Sequence, residues 1–317
     1  MNCLMLTAVE QKLRGGFKGI IKIDEPLSAH TSIKIGGPAK FFFIPADGGE
    51  LRFLLRFLKD ESIPACILGN GSNLLVTDER LSVAVIQLNS EYFKNIEYDD
   101  ALVFAGSGVL LANFVSFAAA NGLSGCEFLA GIPGTIGGAL VTNAGARDIN
   151  QQGDDMYRNI GDVVKKVRIM DNEANISCLK REDLEFGYRS SSLKNAIILG
   201  AWFDLIPAKK DDIRKSIDNF LSKKRSTQEL LMPNAGCVFK NPAGSLLSAG
   251  ALIERCALKG HIVGDAQVSP RHANFIVNRG NARFEHVKTL MNFIQKKVEN
   301  DFSVRLEPEV EIWEKNE

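Results

Sequence analysis

The chain has little that would tie it to a metal, a membrane or a nucleic acid. Its six cysteines (Cys3, Cys66, Cys126, Cys178, Cys237 and Cys256) show no CxxC spacing, so neither a zinc site nor a disulfide framework is indicated. Several sit in apolar runs, where a free cysteine acts as a small hydrophobe, and Cys66, Cys126 and Cys256 are expected in the core. The four histidines (His30, His261, His272 and His286) lack HxxxH-type pairing, so no metal is expected. Lys plus Arg and Asp plus Glu number 38 each, which leaves no net field to attract nucleic acid or an anionic bilayer. No run approaches the length of an apolar membrane span. The opening residues, MNCLMLTAVEQKLRGG, have no basic leader, and their apolar run is too short for a signal segment. A cytoplasmic, reducing-compartment protein is the expectation, with no nucleic-acid or membrane partner. Phosphate motifs are incomplete too. There is no Walker A sequence, and Gly69-Asn70-Gly71-Ser72-Asn73 opens like a dinucleotide fingerprint but places Leu74 where the third glycine belongs.

What the chain does have is glycine in unusual places. Gly125 to Gly145 reads GCEFLAGIPGTIGGALVTNAG, and apart from Glu127 the intervening residues are apolar or small. Such a segment is no solvated linker. Its glycines allow backbone turns and close approach of another group, and freed N–H groups make concave sites for a pyrophosphate. A tightly packed turn between core elements is the equal alternative. The Gly69–Asn73 loop shifts the balance, because it joins Ala65-Cys66-Ile67-Leu68 to Leu74-Leu75-Val76 as strand–loop–strand. A third turn, Ala105-Gly106-Ser107-Gly108, ends the strand begun by Leu102-Val103-Phe104. Three glycine turns after β-rich runs suit one extended cofactor laid across several loops.

Hydrophobic residues make up 45% of the 317-residue chain, enough for two or three domains. In residues 20–88, Phe41 to Ile44 reads as a buried strand, and Leu51, Leu54, Leu55 and Leu58 form the stripe of a packed helix. In residues 89–207, an apolar helix runs from Leu110 to Ala120 and stops at Asn121-Gly122. Asp148 to Gly161 is polar and aperiodic, a surface excursion. Strands return at Val163 to Met170, Asn175 to Leu179 and Ala196 to Asp204. In residues 208–317, helices are expected at Asp212 to Lys224 and Phe284 to Phe302, with a βαβ-like alternation between them. The tail Trp313 to Glu317 is expected to fray.

Six motifs in order give the chain a resemblance: HTSIKIGGPAKFF, ILGNGSNLLV, GCEFLAGIPGTIGGALVTNAGA, YRSS, NAGCVFKNP and LEPEVEIW. Together, from about His30 to Trp313, they resemble the UDP-N-acetylenolpyruvoylglucosamine reductase (MurB) family of flavoenzymes in peptidoglycan precursor synthesis. The resemblance implies an α+β protein: a two-subdomain FAD-binding fold of the vanillyl-alcohol oxidase type (20–88 and 89–207) and a C-terminal substrate-binding domain (208–317). It implies non-covalent FAD, NADPH as reductant, a UDP-sugar enolpyruvyl ether as substrate, and a monomer. Relatives usually follow NAGA with a short Tyr-Gly-Gly-like turn, where this chain has Arg147-Asp148-Ile149-Asn150 and a longer loop. His30 is read as an ordinary loop or capping residue and not as a covalent flavin anchor.

The cofactor-binding residues implied are Gly69, Asn70, Gly71, Ser72, Asn73, Ser107, Gly131, Ile132, Pro133, Gly134, Thr135, Gly137 and Gly138. Arg189 would stabilise an enolate-like intermediate, since guanidinium offers a planar fork to a carboxylate and stays charged. Tyr188 would contact substrate. Cys237 stands where the family places a serine or cysteine that protonates carbon, a task a mostly protonated thiol can perform. Glu309 matches the family's catalytic carboxylate, while Glu307 and Glu311 read as an exposed strand face. Arg225, Asn241 and His272 would hold the nucleotide part of the substrate. An oxygen-using flavin oxidase and a flavin carrier without turnover are the rival readings; the YR, AGC and EPEV motifs together argue against the oxidase.

Overall fold

Alternation of buried and exposed side chains builds the first unit. It comprises Met1–Ile23, Phe41–Gly69 and Val83–Leu221 of the chain. The computed structural model describes residues 9, 11–13, 15–99, 102–149, 155–171 and 173–314. Phe41 and Phe43 face Leu51, Leu54 and Leu58 of the helix Gly48–Asp60. All five are buried, and each such side chain is worth about 1.5–3 kcal/mol relative to exposure. Asp47 caps that helix by accepting from Glu50 N at 2.9 Å, which satisfies an N-terminal donor. The sheet beneath has the order Ile20–Pro26, Pro38–Ile44, Leu81–Gln87, Ala65–Leu68. Ala65–Leu68 is therefore an edge strand, and Cys66, expected in the core, is only half-buried. An apolar run at a sheet edge has one face in solvent.

A second sheet of this unit has five antiparallel strands in the order Ile176–Lys180, Val164–Met170, Ile197–Phe203, Val103–Gly106, Ile96–Tyr98. The helix Leu111–Ala120 buries Leu111, Phe114, Val115 and Ala118 in the same core. It ends as expected, at Asn121 followed by Gly122 with φ 69°. The polar stretch expected as an excursion forms a hairpin, Gly145–Ile149 against Asp155–Asn159. These strands pair only with each other, so no apolar alternation marks them. Residues 150–154 lie outside the described residues.

The second unit comprises Asp24–Lys40, Asn70–Ser82 and Ser222–Glu317. Its sheet runs Asn234–Cys237, Phe275–Asn278, Ala266–Val268, Ile262–Val263, with every pair antiparallel. The expected βαβ-like order of elements is present, but the strands of this sheet pair antiparallel. The helix Phe284–Phe302 buries Val287, Leu290, Met291, Ile294 and Val298. Glu311–Trp313 pairs in parallel with Leu74–Val76. Trp313, expected in a frayed tail, is thus the last residue of a paired strand, and residues 315–317 lie outside the description. Among the described residues no helix is long and apolar enough to cross a membrane.

Candidate active site

In the first unit the glycine segment folds against the turn after Val103–Gly106. Gly137 N donates to Ser107 O at 2.9 Å, Ile136 N to Val109 O at 2.9 Å, and Leu111 N to Gly134 O at 3.0 Å. Gly131 and Gly134 have φ of 70° and 145°, conformations that side chains rarely adopt. Thr135 is buried and caps the short turn Ile136–Val141, accepting from Gly138 N at 3.3 Å. Gly131, Pro133 and Gly138 are exposed between these buried anchors, with Ile132 half-buried. Gly69 O accepts from Gln87 Nε2 at 3.0 Å, and a Cβ on Gly69 would lie 3.0 Å from Thr135 Oγ1. Four sequence-expected positions (Gly69, Ser107, Thr135 and Gly137) are therefore brought together.

Ser107 supplies the test of whether this cradle suits a polar cofactor. Its Oγ is buried without a hydrogen-bond partner, and a buried unsatisfied hydroxyl is costly. A ligand acceptor or donor at the glycine cradle would satisfy it. The residues present fit FAD in that sense.

Asn70–Asn73 belong to the second unit. Gly71 has φ 60°, and a Cβ there would meet His30 O at 2.1 Å, so the loop's own packing requires glycine. Gly71 O accepts from Ser32 N at 3.0 Å, and Ser32 Oγ donates to Asn234 O at 2.6 Å. Asn73 Nδ2 donates to Glu309 O at 3.0 Å, and Glu311 N to Asn73 O at 3.0 Å. His30 caps the turn Leu27–Ala29, and its ring lies 2.8 Å from Glu25 Oε1.

Cys237 ends a bulged strand. The register runs from Asn234↔Val277 to Cys237↔Phe275, one residue more on this strand than on its partner, with Gly236 at φ 78°. Bulges of this kind re-aim a side chain. Glu309 N donates to Val238 O at 2.8 Å, so the Glu309 main chain joins that of the residue after Cys237. Glu309 is half-buried between exposed Glu307 and exposed Glu311, the distinction expected from sequence.

Arg225, Asn241 and His272 form a separate group in this unit. Arg225 is exposed, and its carbonyl accepts from Arg271 Nη2 at 2.6 Å. Asn241 Oδ1 accepts from Ala249 N at 3.0 Å, and a Cβ on the adjoining Gly250 would lie 3.5 Å from His272 Cε1. Burial, with Lys259 second, pushes the His272 imidazole below its ordinary value.

Tyr188 and Arg189 form the two-residue tip between Phe186–Gly187 and Ser190–Ser191. Arg189 has φ 53°, a left-handed conformation that costs a non-glycine residue about 1–3 kcal/mol and persists where its surroundings enforce it. Asn143 fastens the base of this hairpin: Nδ2 donates to Gly187 O at 2.9 Å, and Oδ1 accepts from Gly161 N at 3.2 Å. Ser191 Oγ donates to Val141 O at 2.9 Å. The Arg189 tip is thereby fastened to the far end of the glycine segment. Sequence reasoning assigned no role to Asn143 or to Tyr157, whose ring lies 5.8 Å from Arg189 Cζ. An asparagine inside a glycine-rich segment, a residue type that tolerates φ above zero, is a usable signal for the first; Tyr157 lies in a stretch with no pattern.

Two family models match. The model for an FAD binding domain covers residues 39–178, and that for the C-terminal domain of UDP-N-acetylenolpyruvoylglucosamine reductase covers residues 227–313. The chain is 43% identical over 300 residues to UDP-N-acetylenolpyruvoylglucosamine reductase 2 of Symbiobacterium thermophilum, covering 94% of each chain. It is 40% identical over 297 residues to the UDP-N-acetylenolpyruvoylglucosamine reductase of Caldanaerobacter subterraneus subsp. tengcongensis, covering 93% of this chain and 94% of that one. The crystal structure of the Thermus caldophilus reductase (MurB) matches with a TM-score of 0.76 at 34% identity, over 94% of this chain and 100% of that one. With both flavin-binding and C-terminal regions matched and these relatives aligned over nearly their full length, this chain belongs to the UDP-N-acetylenolpyruvoylglucosamine reductase family, with the α+β, FAD-binding fold expected from its motifs.

Proposed function

We propose that the protein is an FAD-dependent oxidoreductase, UDP-N-acetylmuramate dehydrogenase, that uses NADPH to reduce the enolpyruvyl ether of UDP-N-acetylglucosamine enolpyruvate. The observation that carries this is the joint match of an FAD binding domain and the reductase C-terminal domain in one chain, with the orphaned Ser107 hydroxyl beside the glycine cradle.

Bound FAD supplies hydride chemistry that no side chain can perform. Gly69–Asn73, Ser107 and Gly131–Gly138 would hold it without a covalent bond. The remaining work falls to the chain's own groups. Arg189 binds the enolpyruvyl carboxylate and stabilises the negative charge that builds there as the double bond is reduced. Glu309 works with it as a hydrogen-bonding or acidic partner. Cys237 donates a proton from Sγ to the substrate carbon, completing the lactyl ether. Tyr188, Arg225, Asn241 and His272 orient the rest of the substrate.

In this reading residues 20–88 and 89–207 are the two FAD-binding subdomains and 208–317 the substrate-binding domain. The enzyme is a cytoplasmic monomer in cell-wall precursor synthesis, without nucleic-acid or membrane partners. Anaerobic titration tests it: NADPH should bleach the flavin spectrum, and UDP-N-acetylglucosamine enolpyruvate should restore it. Purified protein without a flavin spectrum, or bleached enzyme that only oxygen restores, would refute the assignment.

A further inference from the structure

The hairpin Gly145–Ile149/Asp155–Asn159 has an anchored face and a presented one. Facing pairs are Ala146↔Arg158 and Arg147↔Tyr157, and successive residues of a strand point to opposite sides. Arg158 fastens its side: Nη2 donates to Gly125 O at 3.2 Å, and the guanidinium lies 5.1 Å from the Phe128 ring. Ala146 packs on the core from the same side. The opposite side carries Tyr157, whose hydroxyl donates to Gly145 O at 3.1 Å and so lays the ring along its own hairpin.

Arg189 meets that ring. Its Cζ lies 5.8 Å from the Tyr157 centroid and 5.6 Å from the Tyr188 centroid, and the two rings are 6.5 Å apart at 70°. Both distances fall within the range of cation–π attraction. Asn143 holds the hairpin at Gly187, two residues before Arg189; an arginine side chain is long and rich in rotamer entropy. A ring restricts that side chain without neutralising it.

The geometry points to Tyr157 as a positioning residue for Arg189, supplied by the hairpin that this chain carries after its NAGA motif. The inference rests on the reading of Arg189 as the group that binds the enolpyruvyl carboxylate. Tyr157 acts through the guanidinium, so it governs the substrate half-reaction and leaves the NADPH half-reaction alone.

Stopped-flow measurements on the flavin-loaded enzyme test this with Tyr157→Leu, Tyr157→Phe, Arg189→Met and the Tyr157→Leu/Arg189→Met pair. In Tyr157→Leu, re-oxidation by UDP-N-acetylglucosamine enolpyruvate is expected to slow about 3- to 30-fold, the span of a cation–π contact. Reduction by NADPH stays at the wild-type rate. Tyr157→Phe restores most of the loss, and Tyr157→Leu adds nothing once Arg189 is Met. Full re-oxidation by Tyr157→Leu alongside a crippled Arg189→Met overturns the role of Tyr157 and leaves that of Arg189 standing. Full re-oxidation by Arg189→Met removes the carboxylate reading itself. Equal slowing of both half-reactions in Tyr157→Leu makes the ring a packing residue only. Tyr157→Thr, which also suits a strand, replaces the leucine variant should that one not fold.

Discussion

Asn143 donates through Nδ2 to the carbonyl of Gly187 at 2.9 Å, joining the end of the glycine segment to the residue before Tyr188. The side chain is buried, and its own backbone is left-handed at φ 46°. Asn143→Ala loses two hydrogen bonds and keeps the unfavourable φ, whereas Asn143→Gly loses the bonds but relieves the φ. The glycine variant should be the more stable by about 1 kcal/mol, and both should fall below wild type by about 1–3 kcal/mol. Urea unfolding of the three proteins checks the order; an alanine variant equal to wild type would show that Asn143 holds nothing.

Ser107 gives a prediction with opposite signs in two states. Ser107→Ala removes a buried hydroxyl that has no partner within the protein. The flavin-free protein should therefore gain stability or keep it, while flavin affinity falls by the roughly 0.5–1.5 kcal/mol of one hydrogen bond. Thermal unfolding with and without FAD resolves the two effects. A flavin-free variant less stable than wild type would mean that the hydroxyl is already satisfied. Gly71 is a poor probe of the same loop, since any Cβ there strikes His30 O. Gly69 meets only the Thr135 hydroxyl and is the better position.

Cys237→Ser should remain active, because a hydroxyl at the same bulge can deliver the proton. Cys237→Ala should bleach normally with NADPH and then re-oxidise ~10²–10⁴-fold more slowly with substrate. In D₂O the label must enter the carbon that Cys237 protonates. Peroxide should inactivate wild type faster than the serine variant, as reachable thiols oxidise first. Site-resolved mass spectrometry is needed, since Cys178 is exposed and Cys66 half-buried, whereas Cys126 is buried with its thiol pushed up by desolvation. Wild-type turnover by the alanine variant would end the assignment.

His272 makes stability depend on pH in a fixed direction. Burial holds its folded-state value below the ordinary 6.5. Above about 6.5 the ring is neutral in folded and unfolded chains alike, so it adds no slope. As pH falls through that value the unfolded chain takes up a proton that the folded one resists, and stability drops. His272→Gln should remove this part of the slope as pH falls through about 6.5 and below, as read by urea unfolding. An unchanged slope would place the acid sensitivity elsewhere.

The sequence disclosed elements where burial is one-sided and periodic. Leu51, Leu54 and Leu58, or Val287 through Val298, mark helices because one stripe meets a core. It misled where an apolar run met a sheet edge, as at Cys66, and it was silent where a hairpin pairs only with itself, as at Gly145–Asn159. Motif order identified the region of Arg189 but not its left-handed turn, since nothing in Tyr-Arg-Ser-Ser favours φ above zero. That turn belongs to a two-residue hairpin tip, a loop that calls for φ above zero, and its base is fastened by Asn143, a residue distant in sequence. Glu309 could be told from Glu307 and Glu311 only by matching the motif. Glu309 alone of the three is half-buried; its N–H donates to Val238 O and its carbonyl accepts from Asn73 Nδ2.

The parallel pairing of Glu311–Trp313 with Leu74–Val76 bears on how the protein is made. Leu74, Leu75 and Val76 are buried, yet their strand partner Glu311–Trp313 leaves the ribosome 237 residues later in a 317-residue chain. At about 5–20 residues per second the wait is on the order of ten to fifty seconds. During synthesis the Leu74–Val76 segment has an unpaired edge and nowhere to bury its side chains, a period in which nascent chains are prone to aggregate or to need a chaperone. A circular permutant that brings residues 306–314 ahead of residue 70 would shorten that interval, and its soluble yield should rise most at the temperatures where synthesis outpaces rescue.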